Sequence, residues 1–258
     1  MLKSSLGLKG GMTAPHRAAA LAGRDILAKG GTAIEAMVAA AATIAVVYPH
    51  MNGIGGDGFW IIHRPGKAPI GISACGTAAA LATPKFYADK GHKTSIPTRA
   101  GLAALTVPGT ISGWEVALSL VPQDRLIPLS RLLADAIGHA KNGIAVTCNQ
   151  ADCTTEKLND LKDVPGFAQT YLINGAPPRA GDRLVQPGLA QTLERLATHG
   201  LRSFYEGELA KTHAEYLERH GSPLRADDLA SYQAETVTPL TVQTSHGKLF
   251  NMVAPTQG

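Results

Sequence analysis

Four sets of residues in this sequence are of types that could do chemistry. The stretch YPHMNGIGGDGFW (Tyr48 to Trp60) carries a histidine, an aspartate and four glycines, the glycines all between Gly53 and Gly58. Such a turn can cradle phosphate on its backbone amides. The P-loop version closes with Gly-Lys-Ser/Thr, so that lysine reaches phosphate and the hydroxyl reaches magnesium, and here Phe59-Trp60 follow instead. A dinucleotide fingerprint leaves a strand and opens a helix. This segment reads as leaving a helix and entering a strand, so no helix amino end is expected at the loop. The plain reading is that the glycines let the chain turn with positive φ and let another segment come close. His50 and Asp57 are the right types for an acid–base pair. A loop of unfixed geometry separates them, and capping or turn stabilisation is the expected role.

Cys148-x4-Cys153 has no second ligand pair at a plausible spacing, so zinc is not expected there. His213 and His220 lie seven apart on one predicted helix, two turns rather than the one turn of a metal pair, which reads as a solvated face. No metal site is expected. Cys75 sits at the end of a β-branched run and reads as a small buried hydrophobe. Three cysteines (Cys75, Cys148 and Cys153) cannot all pair internally, and a reducing compartment is the simpler reading.

The elements that must position these residues follow from periodicity and stop signals. Residues 14 to 29 place Ala18, Leu21, Ala22 and Ile26 on one helical face, and Gly30-Gly31 supply the stop. Thr32 and Glu35 read as a capping box. The uncharged run Ala36 to Val47 predicts a helix buried on every side, too short for a bilayer, and Tyr48-Pro49 ends it. Phe59 to His63 and Ile70 to Gly76 read as a hairpin of two strands. From Pro84 to Gly143 the chain reads as helical, interrupted by a turn at Pro108-Gly109, with Ser130 to Gly143 one amphipathic helix. Two further helices, within Asp182–Gly200 and Gly207–Gly221, end in glycine. The chain closes with a short helix and β-branched segments.

The chain has 258 residues, 45% of them apolar and 17% charged, which is globular composition. The net charge of +4 is spread without a basic cluster, and aromatics are only 5%, so no nucleic-acid partner is expected. The opening MLKSSLGLKGG holds no apolar run of signal-peptide length, and the protein reads as cytoplasmic, with no membrane partner. No repeat or linker divides it, so residues 1–258 read as a single domain.

Five segments in order, from HRAAALAGRDILAKGGTAIEAMVAAAATIAVVYPHMNGIGGDGFW through LTVPGTISGWEVAL, GDRLVQPGLAQTLERLATHGLRSFYEGELA and RADDLASYQAETVTPL to MVAPTQG, resemble the gamma-glutamyltranspeptidase superfamily. One position, Cys75, makes the resemblance closer to the oxamate amidohydrolase-like and acylase branches than to the gamma-glutamyl enzymes proper. The resemblance implies an α/β (α+β) fold, the αββα sandwich of N-terminal nucleophile hydrolases, incomplete in this chain. It implies a precursor that cuts itself into a large and a small chain, with a threonine freed at the start of the small chain attacking an amide carbonyl. This sequence resembles the large chain. It therefore carries no catalytic residue of its own, and its expected partners are the small chain of the same precursor and a small-molecule amide substrate. No cofactor is implied, and oligomerisation is left open. Where the gamma-glutamyl enzymes carry an arginine that grips the substrate's α-carboxylate, this sequence has Cys75, with Arg99 the alternative position. A thiol cannot replace a bidentate guanidinium, which points away from gamma-glutamyl donors and towards other amides. The rival reading is a non-catalytic fragment or binding module that kept the scaffold.

Overall fold

A computed structural model describes residues 6–8 and 10–256. The reading of the opening segment as free of an apolar leader falls largely on residues outside that range. In chain order the elements are α1 (Arg17–Ala28), α2 (Ala33–Val47), β1 (Gly58–Ile62), β2 (Ile70–Ala74), α3 (Pro84–Asp89), α4 (Thr110–Ser119), α5 (Leu129–Leu132) and α6 (Ala134–Asn142). There follow β3 (Ile144–Ala145), α7 (Cys148–Leu161), α8 (Phe167–Tyr171), β4 (Arg183–Leu184), α9 (Pro187–His199), α10 (Gly207–Arg219), α11 (Ala226–Ser231), β5 (Glu235–Val237), β6 (Leu240–Thr244) and β7 (Gly247–Asn251). Helices and antiparallel strands mix as the sequence predicts. The chain divides into two compact units, one of Met1–Gly53, Val121–Leu158 and Thr170–Thr198, the other of Ile54–Leu120, Asn159–Gln169 and His199–Gly258.

The first unit is built on α2. Its start is the predicted capping box: the Thr32 hydroxyl accepts from the Glu35 amide at 3.2 Å, and the Glu35 carboxylate accepts from the Thr32 amide at 2.7 Å. The same carboxylate takes the Ile127 amide at 2.7 Å, so the buried Glu35 also anchors a distant loop. The uncharged helix is buried on most sides, with Met37 left 42% exposed. α1 turns inward a face that shares Ala22 and Ile26 with the expected one but is rotated from it. Ala19, Ala22, Gly23 and Ile26 are buried, while Ala18 and Leu21 are only partly covered. Small residues win because the helices pack closely: a Cβ on Gly23 would lie 2.9 Å from the Ala36 carbonyl oxygen. The segment predicted as one helix from Ser130 to Gly143 is two, α5 and α6, broken at Leu133. Leu132 and Leu133 are both buried. Helix α7 has no counterpart in the sequence reading, although Thr147 caps its first turn by accepting from the Gln150 amide at 3.1 Å.

The second unit holds a three-stranded antiparallel sheet of order β1-β2-β5, with Trp60 opposite Ile72 and Ile72 opposite Thr236. One face, carrying the fully buried Ile72 and Ala74, packs against α4, whose Trp114 is also buried. The remaining hairpin pairs β6 with β7, Val242 opposite Leu249. The helical expectation for Pro84 to Gly143 fails between residues 90 and 105, and again over 120–128 apart from a 3-10 turn at Gln123–Arg125. Residues 105–107 run alongside 77–79, the Val107 amide donating to the Thr77 carbonyl and the Ala79 amide to that of Leu105, both at 2.9 Å. Residues 90–104 are turn and loop, with one 3-10 turn at Gly101–Ala103. Gly91 and Ala100, both with positive φ, break any helical run there.

Candidate functional site

Strand β2 delivers Cys75 and Gly76 to one corner of the second unit, where the glycine turn and the amino end of α4 also arrive. The Asp57 carboxylate holds the corner together. One oxygen accepts the Gly76 amide at 2.9 Å, and the other lies 3.7 Å from the Cys75 thiol, which donates to it. The Tyr232 hydroxyl donates to the Cys75 carbonyl at 3.1 Å. From the other side, the amides of Gly109 and Thr110 both donate to the Gly56 carbonyl at 2.9 Å. The Thr110 hydroxyl stands 2.9 and 2.8 Å from the carbonyls of Gly56 and Asp57. Two glycines are required by this closeness: a Cβ on Gly76 would strike the Val107 carbonyl, and one on Gly109 the Ala74 carbonyl.

A second layer fixes that corner. The buried Tyr205 hydroxyl donates to the Pro108 carbonyl at 2.6 Å and accepts the Ser112 amide at 2.9 Å. The Ser112 hydroxyl accepts the Ala234 amide at 2.8 Å. Arg202 donates to the Tyr232 carbonyl at 2.7 Å and pairs with Glu206 at 2.7 Å. Burial pushes the Tyr205 hydroxyl well above its ordinary pKa. Tyr232 is pushed up to about 12 by burial first, then by Cys75, Asp57 and Glu235. The Cys75 thiol is raised by burial and by the neighbouring Asp57 charge. A thiol held protonated is a poor nucleophile, so Cys75 is not set up to attack a substrate.

The sequence-derived candidates are placed as follows. Asp57 does stabilise a turn, as expected, but across to Gly76 and Cys75. His50 has a different partner: its Nε2 lies 2.6 Å from Asn149 Oδ1, which also accepts the Tyr48 hydroxyl at 2.9 Å. His50 and Asp57 therefore have separate partners and form no acid–base pair, as expected. Contrary to the sequence reading, a helix amino end does meet the glycine turn. Its two leading amides are taken by the Gly56 carbonyl, which leaves them nothing to offer a phosphate. The reading of the glycines is corrected as well. Gly55 and Gly56 have no positive φ, and a Cβ there would meet no described atom within 4 Å. Arg99 bonds back to the Thr98 carbonyl at 3.2 Å. Cys148 and Cys153 lie on α7 and are free thiols, as is Cys75. His213 does not sit on a solvated face. It packs on the Phe204 ring with centroids 5.2 Å apart, and burial lowers its pKa. Among the described residues no group of three or more His, Cys, Asp or Glu is placed to hold a metal. No helix there is long and apolar enough to cross a membrane. Tyr205, Ser112, Arg202 and Tyr232 escaped the sequence reading, because each acts on a residue far away in the chain.

A mixed helix–strand fold with a thiol and a carboxylate at a sheet corner, and no metal cluster among the described residues, defines a class of scaffold without naming its chemistry. Comparison with known proteins supplies the family. The family model described as gamma-glutamyltranspeptidase matches residues 19–258, and the chain belongs to that family. It is 50% identical over 260 residues to the oxamate amidohydrolase proenzyme of Klebsiella pneumoniae, covering 100% of this chain and 49% of that protein. The glutathione hydrolase-like YwrD proenzyme of Bacillus subtilis is 36% identical, over 93% of this chain and 45% of its own length. The glutathione hydrolase proenzyme of Escherichia coli is 31% identical, over 97% and 43%. The chain thus spans about half the length of the curated relatives it matches, and lies nearer the oxamate amidohydrolase than these glutathione hydrolases. Among solved structures, the Pseudomonas nitroreducens gamma-glutamyltranspeptidase complexed with L-DON superposes with TM-score 0.87 at 32% identity, covering 97% of this chain and 73% of that one. The Helicobacter pylori gamma-glutamyltranspeptidase gives TM-score 0.90 at 29% identity, covering 98% and 72%. The fold is that of these N-terminal nucleophile hydrolases.

Proposed function

We propose that this chain is the large-chain portion, within a single domain, of a self-processing amidohydrolase or acyltransferase. Its threonine nucleophile is carried on a separate small chain of the same precursor, and its substrate is a small amide of the oxamate type rather than a gamma-glutamyl donor. The observation that carries this reading is the half-length match at high identity to an oxamate amidohydrolase proenzyme. The geometry of the second unit supports the need for a partner. The sheet face turned away from α4 carries Phe59 and Ile61, 40% and 43% exposed. On the β6–β7 hairpin, Leu240, Val242 and Leu249 share one face and are 55%, 60% and 64% exposed. Apolar sheet faces of this kind call for cover, and a small chain would supply it.

Cys75 supports the choice of branch. The resemblance puts it, with Arg99 the alternative, where gamma-glutamyl enzymes carry an arginine, and a neutral thiol beside a carboxylate offers no grip on an α-carboxylate. The three free cysteines favour a reducing, cytoplasmic setting. The test is to assay the assembled full-length protein for ammonia release from oxamate-type amides and aniline release from a gamma-glutamyl anilide. The first is expected to be the faster by orders of magnitude. Gamma-glutamyl hydrolysis at ordinary rates contradicts the reading of Cys75.

A further inference from the structure

The corner at Cys75 holds a charge of the opposite sign from a guanidinium. Asp57 is solvent-exposed, and its carboxylate stands 3.7 Å from the Cys75 sulfur. Its hydrogen bonds come from a backbone amide and a thiol. Among the described residues no ion pair of 4 Å or less neutralises it. An ionised carboxylate has about four lone-pair sites, so it keeps acceptor capacity towards whatever approaches the thiol. The neighbouring polar groups are already committed: the Cys75 carbonyl to Tyr232, and the Gly76 amide to Asp57 itself.

We propose that Asp57 is a specificity-determining residue of the Cys75 site, turning away acyl donors whose chain ends in a carboxylate and admitting those that end in a neutral or hydrogen-bond-donating group. The proposal deepens the reading of Cys75 as a substrate position and rests on it. Like charges a few ångströms apart at a half-exposed site repel strongly enough to weigh on binding. A short oxamate-type donor escapes the exclusion, because its carboxylate adjoins the reacting carbonyl and does not extend to the far end of the acyl arm. The same charge beside the sulfur opposes thiolate formation, in keeping with the raised thiol. Asp57 touches the substrate end only and takes no part in bond breaking.

The test uses the assembled two-chain protein and a matched pair of donors, glutaryl anilide and its neutral terminal carboxamide. Asp57→Asn keeps an acceptor for the Gly76 amide and removes the charge. It should lower the KM of the anionic donor relative to the neutral one by about ten-fold. In the wild type, raising ionic strength from about 0.02 to 0.5 M should lower the KM of the anionic donor alone, a reading that needs no variant to fold. Mass-resolved alkylation of Cys75 at fixed pH should speed up several-fold in Asp57→Asn. A donor preference unmoved by both the variant and salt, with the neutral donor still hydrolysed, overturns the proposal even if alkylation changes. Hydrolysis of a gamma-glutamyl anilide at ordinary rates by the wild type overturns the reading of Cys75 beneath it, and the proposal falls too.

Discussion

Two glycine-containing regions meet at the Cys75 corner, and they differ in what their glycines do. The Gly53–Gly58 turn is the loudest feature of the sequence, yet a side chain at Gly55 or Gly56 would meet open space. Gly76 and Gly109 stand in unremarkable company, in ACGTAA and TVPGTI, and each has a carbonyl where its Cβ would be. Density of glycine in sequence and tightness of packing in space are thus separate quantities. The second is set by which strands and loops cross, and that is decided by residues far apart in the chain.

The contrast can be broken by substitution. Gly76→Ala and Gly109→Ala should be the most damaging single changes, because each drives a Cβ into backbone that cannot move aside; about 3 kcal/mol or more is expected. Loss of cooperative melting in the assembled protein would show it. Tyr205→Phe comes next. It strips the one hydroxyl that joins Pro108 to Ser112 and leaves a buried amide unpaired, costing about 1–3 kcal/mol, measured by chemical denaturation. Acid should act through His213. Its folded pKa lies below the ordinary 6.5, so the unfolded chain takes up the proton first. The stability His213 contributes is present above about pH 6.5 and is lost as pH falls below it. Melting temperature should therefore drop between pH 7 and 5, and less so in His213→Phe. The smallest effect belongs to Gly55→Ala and Gly56→Ala, expected within about 0.5 kcal/mol of wild type or slightly stabilising. If those variants keep their melting temperature but lose turnover, the open space above the turn is where substrate or the small chain sits.

What was legible in the sequence was local. Thr32 and Glu35 are three apart and found each other; Gly30, Gly143, Gly200 and Gly221 end helices with positive φ; the hairpin of β1 and β2 formed where alternating β-branched runs flank a turn. What was illegible depends on distance along the chain. Asp57 reads as a cap or turn stabiliser, and its actual partners lie 18 and 19 residues on. Tyr205 reaches 93 residues back to Ser112, and Tyr232 reaches 157 back to Cys75. The stretch from 90 to 105 reads as helix but is turn and loop, interrupted by positive φ at Gly91 and Ala100. The candidate site inherits this limit. Cys75 was visible through the family pattern, whereas the carboxylate that gives its corner a charge emerged only from the fold.

The account rests most heavily on the second chain. Intact-mass analysis of the protein purified from its native source, with amino-terminal sequencing of every component, tests that claim directly. Two tightly associated chains are predicted, the smaller beginning with threonine. A single uncut polypeptide, or this chain alone near 27 kDa, would contradict it.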